Sequence, residues 1–137
     1  MADLTYANKN NQKKTRSAAR DGSRFLALPH VVMDSPAFRN LSGPALRLLL
    51  DIARQFKGDN NGQMVACAAY LKTRGWNSND TAMRARRELE ASGLIVETRK
   101  GMRPNRAAWY ALTWASLDWL PAMDLPRAQF QRGAYLK

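Results

Sequence analysis

The sequence contains only one cysteine and one histidine, Cys67 and His30, among its 137 residues. A single cysteine cannot form a disulfide within the chain, and a single histidine provides neither a His-paired nucleophile nor a multi-histidine metal site. Both residues are therefore interpreted as structural, with Cys67 a small buried residue on a helix. The sequence predicts a protein that is not an enzyme and that needs no metal or other cofactor.

Long apolar runs are also missing. The most apolar stretch, LRLLLDIA, is interrupted by Arg47 and Asp51, whereas a membrane-spanning helix needs about 20 predominantly apolar residues. The N-terminal residues have no apolar centre of the kind found in secretory signals. These features predict a soluble, cytoplasmic protein with no membrane partner.

Acidic residues are scarce relative to basic ones. The chain has 22 Lys and Arg against 11 Asp and Glu, which gives a formal net charge of +11. A charge of this size favours a polyanionic partner, and nucleic acid is the commonest such partner. Anionic membranes and acidic protein surfaces also attract basic proteins, so charge alone does not decide among these partners.

Composition divides the chain into three segments. Residues 1–24 are polar and basic, and they predict a flexible arm whose cations include Lys13, Lys14 and Arg16. Residues 25–114 contain most of the large apolar side chains and predict one domain. Residues 115–137 show weak periodicity and several prolines, so an extended or partly ordered C-terminal tail is expected.

The central segment shows helical periodicity followed by two β-prone runs. Apolar spacing predicts helices from Pro44 to just before Gly58, from about Ala66 to Arg74, and from Ser78 to about Ser92. The runs Leu94–Thr98 and Ala108–Trp114 predict a hairpin. Its loop, residues 99–106, carries the cations Arg99, Lys100, Arg103 and Arg106. The predicted fold is mainly α with a small β-hairpin, in the α+β class.

The string SNDTAMRARRELEASGLI, residues 78–95, resembles the recognition helix and following strand of the winged helix-turn-helix superfamily. The shared features are a Ser-x-x-Thr start at Ser78 and Thr81, an arginine at Arg84, and the Gly-Leu-Ile ending. Arg86 departs from the pattern, because such helices usually carry a core leucine there. The stretch ALPHVVMDSPAFRNLSGPALRLLL resembles phage and plasmid replication-type members. The resemblance implies three core helices plus a wing formed by the hairpin.

The resemblance implies a double-stranded DNA-binding protein that acts in replication or transcriptional control of a phage, prophage or plasmid. Ala82, Ala85 and Leu89 form an apolar stripe on the third helix, so its other faces are expected to meet DNA. The basic loop and arm are expected to add phosphate contacts. The predicted DNA-binding residues are Ser78, Asn79, Thr81, Met83, Arg84, Arg87, Arg99, Lys100, Arg103, Arg106, Lys13, Lys14 and Arg16.

Other interpretations remain open at this point. Arg84 could simply pair with Glu88 on a solvated helix face. The fold could instead be a non-catalytic scaffold that docks a protein or ribonucleoprotein complex, and the target could be double-stranded or guide RNA. A homodimer is compatible with the sequence. The apolar tail cluster would suit a partner or cover the domain's own core; it comprises Leu117, Trp119, Leu120, Met123 and Leu125.

Overall fold

A computed structural model describes residues 20–137 of the chain. Helices α1 (His30–Met33), α2 (Pro36–Arg39), α3 (Gly43–Ala53), α4 (Ala68–Thr73) and α5 (Asn79–Ala91) precede strands β1 (Ile95–Arg99) and β2 (Trp109–Leu112). The two strands pair in an antiparallel sheet. The predicted α+β class, with helices followed by a small hairpin, is confirmed.

The two longest helices begin at serine caps that the sequence predicted. The Ser42 hydroxyl accepts a hydrogen bond from the Ala45 amide at 3.3 Å, and the Ser78 hydroxyl accepts one from the Thr81 amide at 3.2 Å. Each cap satisfies an amide that the first helical turn leaves unpaired. After α5 the chain turns at Gly93, whose φ of +80° favours glycine.

The hairpin contains an irregularity and one extra contact. Its register pairs Ile95 with Leu112 and Glu97 with Tyr110, and then shifts between Glu97 and Arg99. Tyr110 also exchanges backbone hydrogen bonds with Met64, at 2.8 and 3.2 Å. A bridge of one residue therefore stands where the chain enters α4, and it ties the helical part of the fold to the hairpin.

The core lies between α3, α5 and the hairpin. The largest fully buried side chains include Leu48, Leu49, Ile52, Leu89, Leu94 and Leu112. Trp76 and Tyr110 are buried with them, while Trp109 and Trp114 are half-buried, so these aromatic side chains pack rather than project freely. Cys67 lies one residue before α4 rather than on it and is half-buried, which corrects the expectation of a buried helical residue.

The C-terminal segment, residues 115–137, folds back onto the hairpin. The Gly133 amide donates to the Thr113 carbonyl at 2.8 Å, and Met123 and Tyr135 are buried. Short 3₁₀ turns form at Arg127–Gln129 and Ala134–Leu136. The segment is therefore packed rather than extended, and most of its apolar cluster covers the chain's own core.

Within residues 20–137, no helix is both long and apolar enough to cross a membrane.

Candidate nucleic-acid interface

Helix α5 divides into a buried face and an outward face. Ala82, Ala85 and Leu89 are buried against the core, as the apolar stripe predicted. The remaining faces carry side chains that are exposed to solvent: Asn79, Asp80, Met83, Arg84 and Arg87. Thr81 is half-buried, and its hydroxyl lies 3.1 Å from the Ser78 hydroxyl. The predicted contact residues of this helix therefore share one end and one surface.

Arg84 and Glu88 do not pair with each other. The Arg84 guanidinium donates to the Asp80 carboxylate at 2.5 Å, on the preceding turn. Glu88 instead accepts two hydrogen bonds from Ser42, one from its amide and one from its hydroxyl, both at 2.8 Å. The suggested Arg84–Glu88 pair is therefore wrong, because Glu88 is engaged by the N-terminal cap of α3.

Arg87 and Asn79 keep their hydrogen-bonding groups free. Neither side chain forms a hydrogen bond or ion pair with another residue of the 20–137 portion. Arg84 is only weakly committed, since both members of its pair are largely exposed, and such pairs contribute little net free energy. The outward face of α5 therefore offers donors and acceptors to a partner at low cost.

Arg86 occupies the position where the resemblance predicts a core leucine. Its side chain is half-buried and donates to Glu90 at 3.0 Å. Burial raises the pKa of Glu90, and the Arg86 charge acts against that rise. The same charge lies close enough to Tyr110 to oppose the effect of burial, which raises the pKa of the Tyr110 hydroxyl to about 12. Arg86 thus lies between α5 and β2 instead of facing solvent.

A buried carboxylate on α3 holds the turn that leads into α5. Asp51 accepts hydrogen bonds from the Trp76 indole at 2.7 Å and from the Arg74 guanidinium at 2.9 Å. Its backbone carbonyl accepts a further bond from the Tyr70 hydroxyl. These contacts come from α4 and from the turn after it, so one residue of α3 fixes both.

Arg47 covers the same turn from outside. Its guanidinium donates to the Arg74 carbonyl at 2.8 Å and lies 4.9 Å from the centre of the Trp76 ring. Together with Asp51 and Glu88, it anchors α5 and the preceding turn to α3 at separate points. A reading helix needs such support, because base contacts tolerate little movement of the side chains that make them.

The four cations of the hairpin loop have different surroundings. The Arg99 guanidinium lies 3.5 Å from the centre of the Trp109 ring and donates to the Ala107 carbonyl at 2.8 Å. Burial lowers the pKa of Arg99, and the nearby Arg106 charge adds to that effect. Arg99 therefore braces the hairpin from within.

The other three cations, Lys100, Arg103 and Arg106, are exposed. Met102 and Arg106 exchange backbone hydrogen bonds at 2.8 and 2.9 Å, which closes the loop. The Lys100 amide donates to the Asp124 carboxylate at 2.7 Å, so the C-terminal segment holds the base of the loop. A groove of about 620 Å³ separates the loop from the start of α4, and Arg103 and Arg106 line it.

The predicted arm residues Lys13, Lys14 and Arg16 lie outside the described residues. Sequence reasoning missed Glu88, Asp51 and Arg47 as supports of α5. It assigned a possible partner to Glu88 alone, and the wrong one. Each of these contacts joins elements far apart in the chain, 46 residues in the case of Glu88 and Ser42, so no local pattern indicates them.

Comparison with known proteins adds no relative. No protein-family model matches the chain, and neither a curated protein nor a solved structure shows significant similarity to it.

Proposed function

We propose that the protein binds double-stranded DNA as a winged helix-turn-helix domain, in replication or transcriptional control of a phage, prophage or plasmid. Helix α5 acts as the recognition helix and the hairpin loop acts as the wing. The element order supports this assignment, because α3, the Met64 bridge, α4, the turn, α5 and the hairpin follow one another as in that fold. The net charge of +11 supports a polyanionic partner.

The outward face of α5 is the observation that carries the proposal. It places Asn79, Arg84 and Arg87 on the exposed side of a capped helix of 13 residues. The major groove of B-DNA admits one α-helix, and arginine and asparagine are the side chains best suited to bidentate contacts with guanine and adenine. Ser78 and Thr81, at the start of the helix, are suited to contacts with the DNA backbone.

The hairpin loop supplies affinity rather than sequence choice in this proposal. Lys100, Arg103 and Arg106 are exposed on a loop, where backbone movement works against a fixed bidentate geometry. Contact with phosphates, by contrast, requires only proximity and charge. Arg99 contributes indirectly by stacking on Trp109.

A triple substitution tests the role of the loop. Changing Lys100, Arg103 and Arg106 to glutamine is expected to weaken binding to every duplex sequence alike. The slope of log affinity against log salt should fall by up to about three contacts, at roughly 0.9 per phosphate neutralised. Fluorescence anisotropy with labelled duplexes at several salt concentrations measures both quantities.

The matched control removes the same number of charges elsewhere. Arg39, Arg132 and Lys137 are exposed, and none of them lines the groove beside the loop. Their glutamine variant should keep the slope of the parent protein. Equal losses in the two triple variants would show that only net charge matters, and binding to RNA duplexes but not to DNA would contradict the choice of target.

A further inference from the structure

A second cationic groove lies at the C-terminal end of α3, outside the interface described above. It has a volume of about 500 Å³ and lies between residues 24–26 and residues 53–60. Two aromatic rings, Phe25 and Phe56, line it together with the cations Arg24, Arg54 and Lys57. We call it the Phe25 groove. It shares no lining residue with the groove beside the hairpin loop.

The amide side chains of the Phe25 groove are already engaged. Gln55 exchanges two hydrogen bonds with the backbone of Val65, at 2.7 and 2.8 Å. Asn60 accepts from the Lys57 amide at 2.7 Å and donates to the Gln55 carbonyl at 2.9 Å. These contacts shape the wall of the groove, and the free polar chemistry that remains belongs to the cations.

Those cations have no carboxylate partner in the described part of the chain. Arg24, Arg54 and Lys57 are all exposed, and none of them takes part in an ion pair within residues 20–137. No acidic residue lines the groove. Three like charges around one concave surface repel one another, and an anionic occupant would relieve that repulsion.

Phe25 adds a flat apolar surface to this charge. Its side chain is 67% exposed, although the Arg20 guanidinium lies over the ring at 4.5 Å from its centre. An exposed phenylalanine among cations is the arrangement with which proteins stack an unpaired base while holding the adjoining phosphates. A base within a duplex has both faces covered by its neighbours and cannot stack in this way.

We propose that the Phe25 groove binds single-stranded nucleic acid, with a base stacked on Phe25 and the flanking phosphates held by Arg24, Arg54 and Lys57. An acidic peptide would satisfy the charges equally well, but it would leave the exposed ring without a matching planar group unless it also carried an aromatic side chain. The nucleotide unit supplies both features at once. The site is separate from α5 and does not depend on the duplex contacts proposed for that helix.

The test uses the full chain and a labelled oligothymidine of about 12 nucleotides, because single-strand sites span roughly 4 to 16 nucleotides. Phe25→Ala is expected to weaken binding roughly 5- to 150-fold, the range that one base–aromatic stack contributes. Phe25→Trp should retain the affinity of the parent protein, since tryptophan preserves the stacking surface. Arg54→Gln with Lys57→Gln should weaken binding and lower its salt dependence.

Arg39→Gln is the matched control, because Arg39 is exposed but does not line the groove. Its affinity for oligothymidine should equal that of the parent. Thermal unfolding of Phe25→Ala should also be unchanged, since the ring is largely exposed. An oligothymidine affinity that Phe25→Ala leaves intact would overturn the proposal, as would displacement by an acidic peptide at concentrations where oligothymidine fails to bind.

A duplex titration separates this proposal from the preceding one. Phe25→Ala should bind duplex DNA as the parent does, whereas substitutions on α5 should leave oligothymidine binding intact. Loss of duplex binding in Phe25→Ala, in parallel with loss of oligothymidine binding, would show that the groove belongs to the duplex interface and would contradict a separate single-strand site.

Discussion

Replacing Asn61 with alanine is expected to lower the free energy of unfolding by about 3 kcal/mol, the sum of lost buried hydrogen bonds and a small cavity. Asn61 is completely buried. Its amide nitrogen donates to the carbonyls of Leu112, Ala115 and Ser116 at 3.0 to 3.2 Å. Its carbonyl oxygen accepts from the Leu112 amide at 2.8 Å.

No water or neighbouring side chain is placed to replace this amide in the described residues. Alanine would leave the Leu112 amide unsatisfied in the core, where a lost partner costs the full penalty of desolvation. Because Ala115 and Ser116 begin the C-terminal segment, that segment should loosen as well. Urea unfolding measures the change, and Asn40→Ala, at an exposed asparagine after α2, is the control. A loss no larger than that of the control would contradict the role assigned to Asn61.

Asp51→Ala is expected to be the second most damaging substitution. Asp51 and Trp76 are 6% and 9% exposed, so the indole N–H would lose its acceptor inside the core. That loss alone should cost about 2 kcal/mol in unfolding free energy. Arg74 would lose its carboxylate partner at the same time, and the turn before α5 would lose its main tie to α3.

Asp51→Asn separates the two contributions. Asparagine keeps an acceptor for the Trp76 indole but removes the charge that faces Arg74, so it should retain most of the stability. Thermal or urea unfolding of both variants, with Asp59→Ala as an exposed control, provides the comparison. Equal stability of the alanine variant and the parent would show that the turn is held by packing alone.

Local patterns in the sequence were sufficient for the helices and for the orientation of α5. The caps at Ser42 and Ser78, the turn at Gly93 and the buried stripe of Ala82, Ala85 and Leu89 all follow from neighbours within a few residues. Such features depend on backbone geometry that repeats along one element. Periodicity therefore predicted which side chains of α5 face outward.

Contacts between distant elements were not predictable in the same way. Glu88 could pair with Arg84 by spacing, but the structure gives it to Ser42 and gives Arg84 to Asp80. Arg99 resembles its basic neighbours in the sequence, yet stacking on Trp109 sets it apart from them. The weak periodicity of residues 115–137 indicated little structure, because their order comes from backbone hydrogen bonds to the hairpin rather than from helix or strand formation.

Selection of binding sites from a randomised duplex library tests the central claim most directly. The parent protein should enrich a defined sequence, and the double variant Arg84→Ala, Arg87→Ala should bind that sequence with roughly 1 to 3 kcal/mol less discrimination for each arginine that reads a guanine. Arg39→Ala should enrich the parent sequence unchanged. If the double variant and the parent enrich the same sequence with the same preference over random duplex, α5 is not the element that reads DNA.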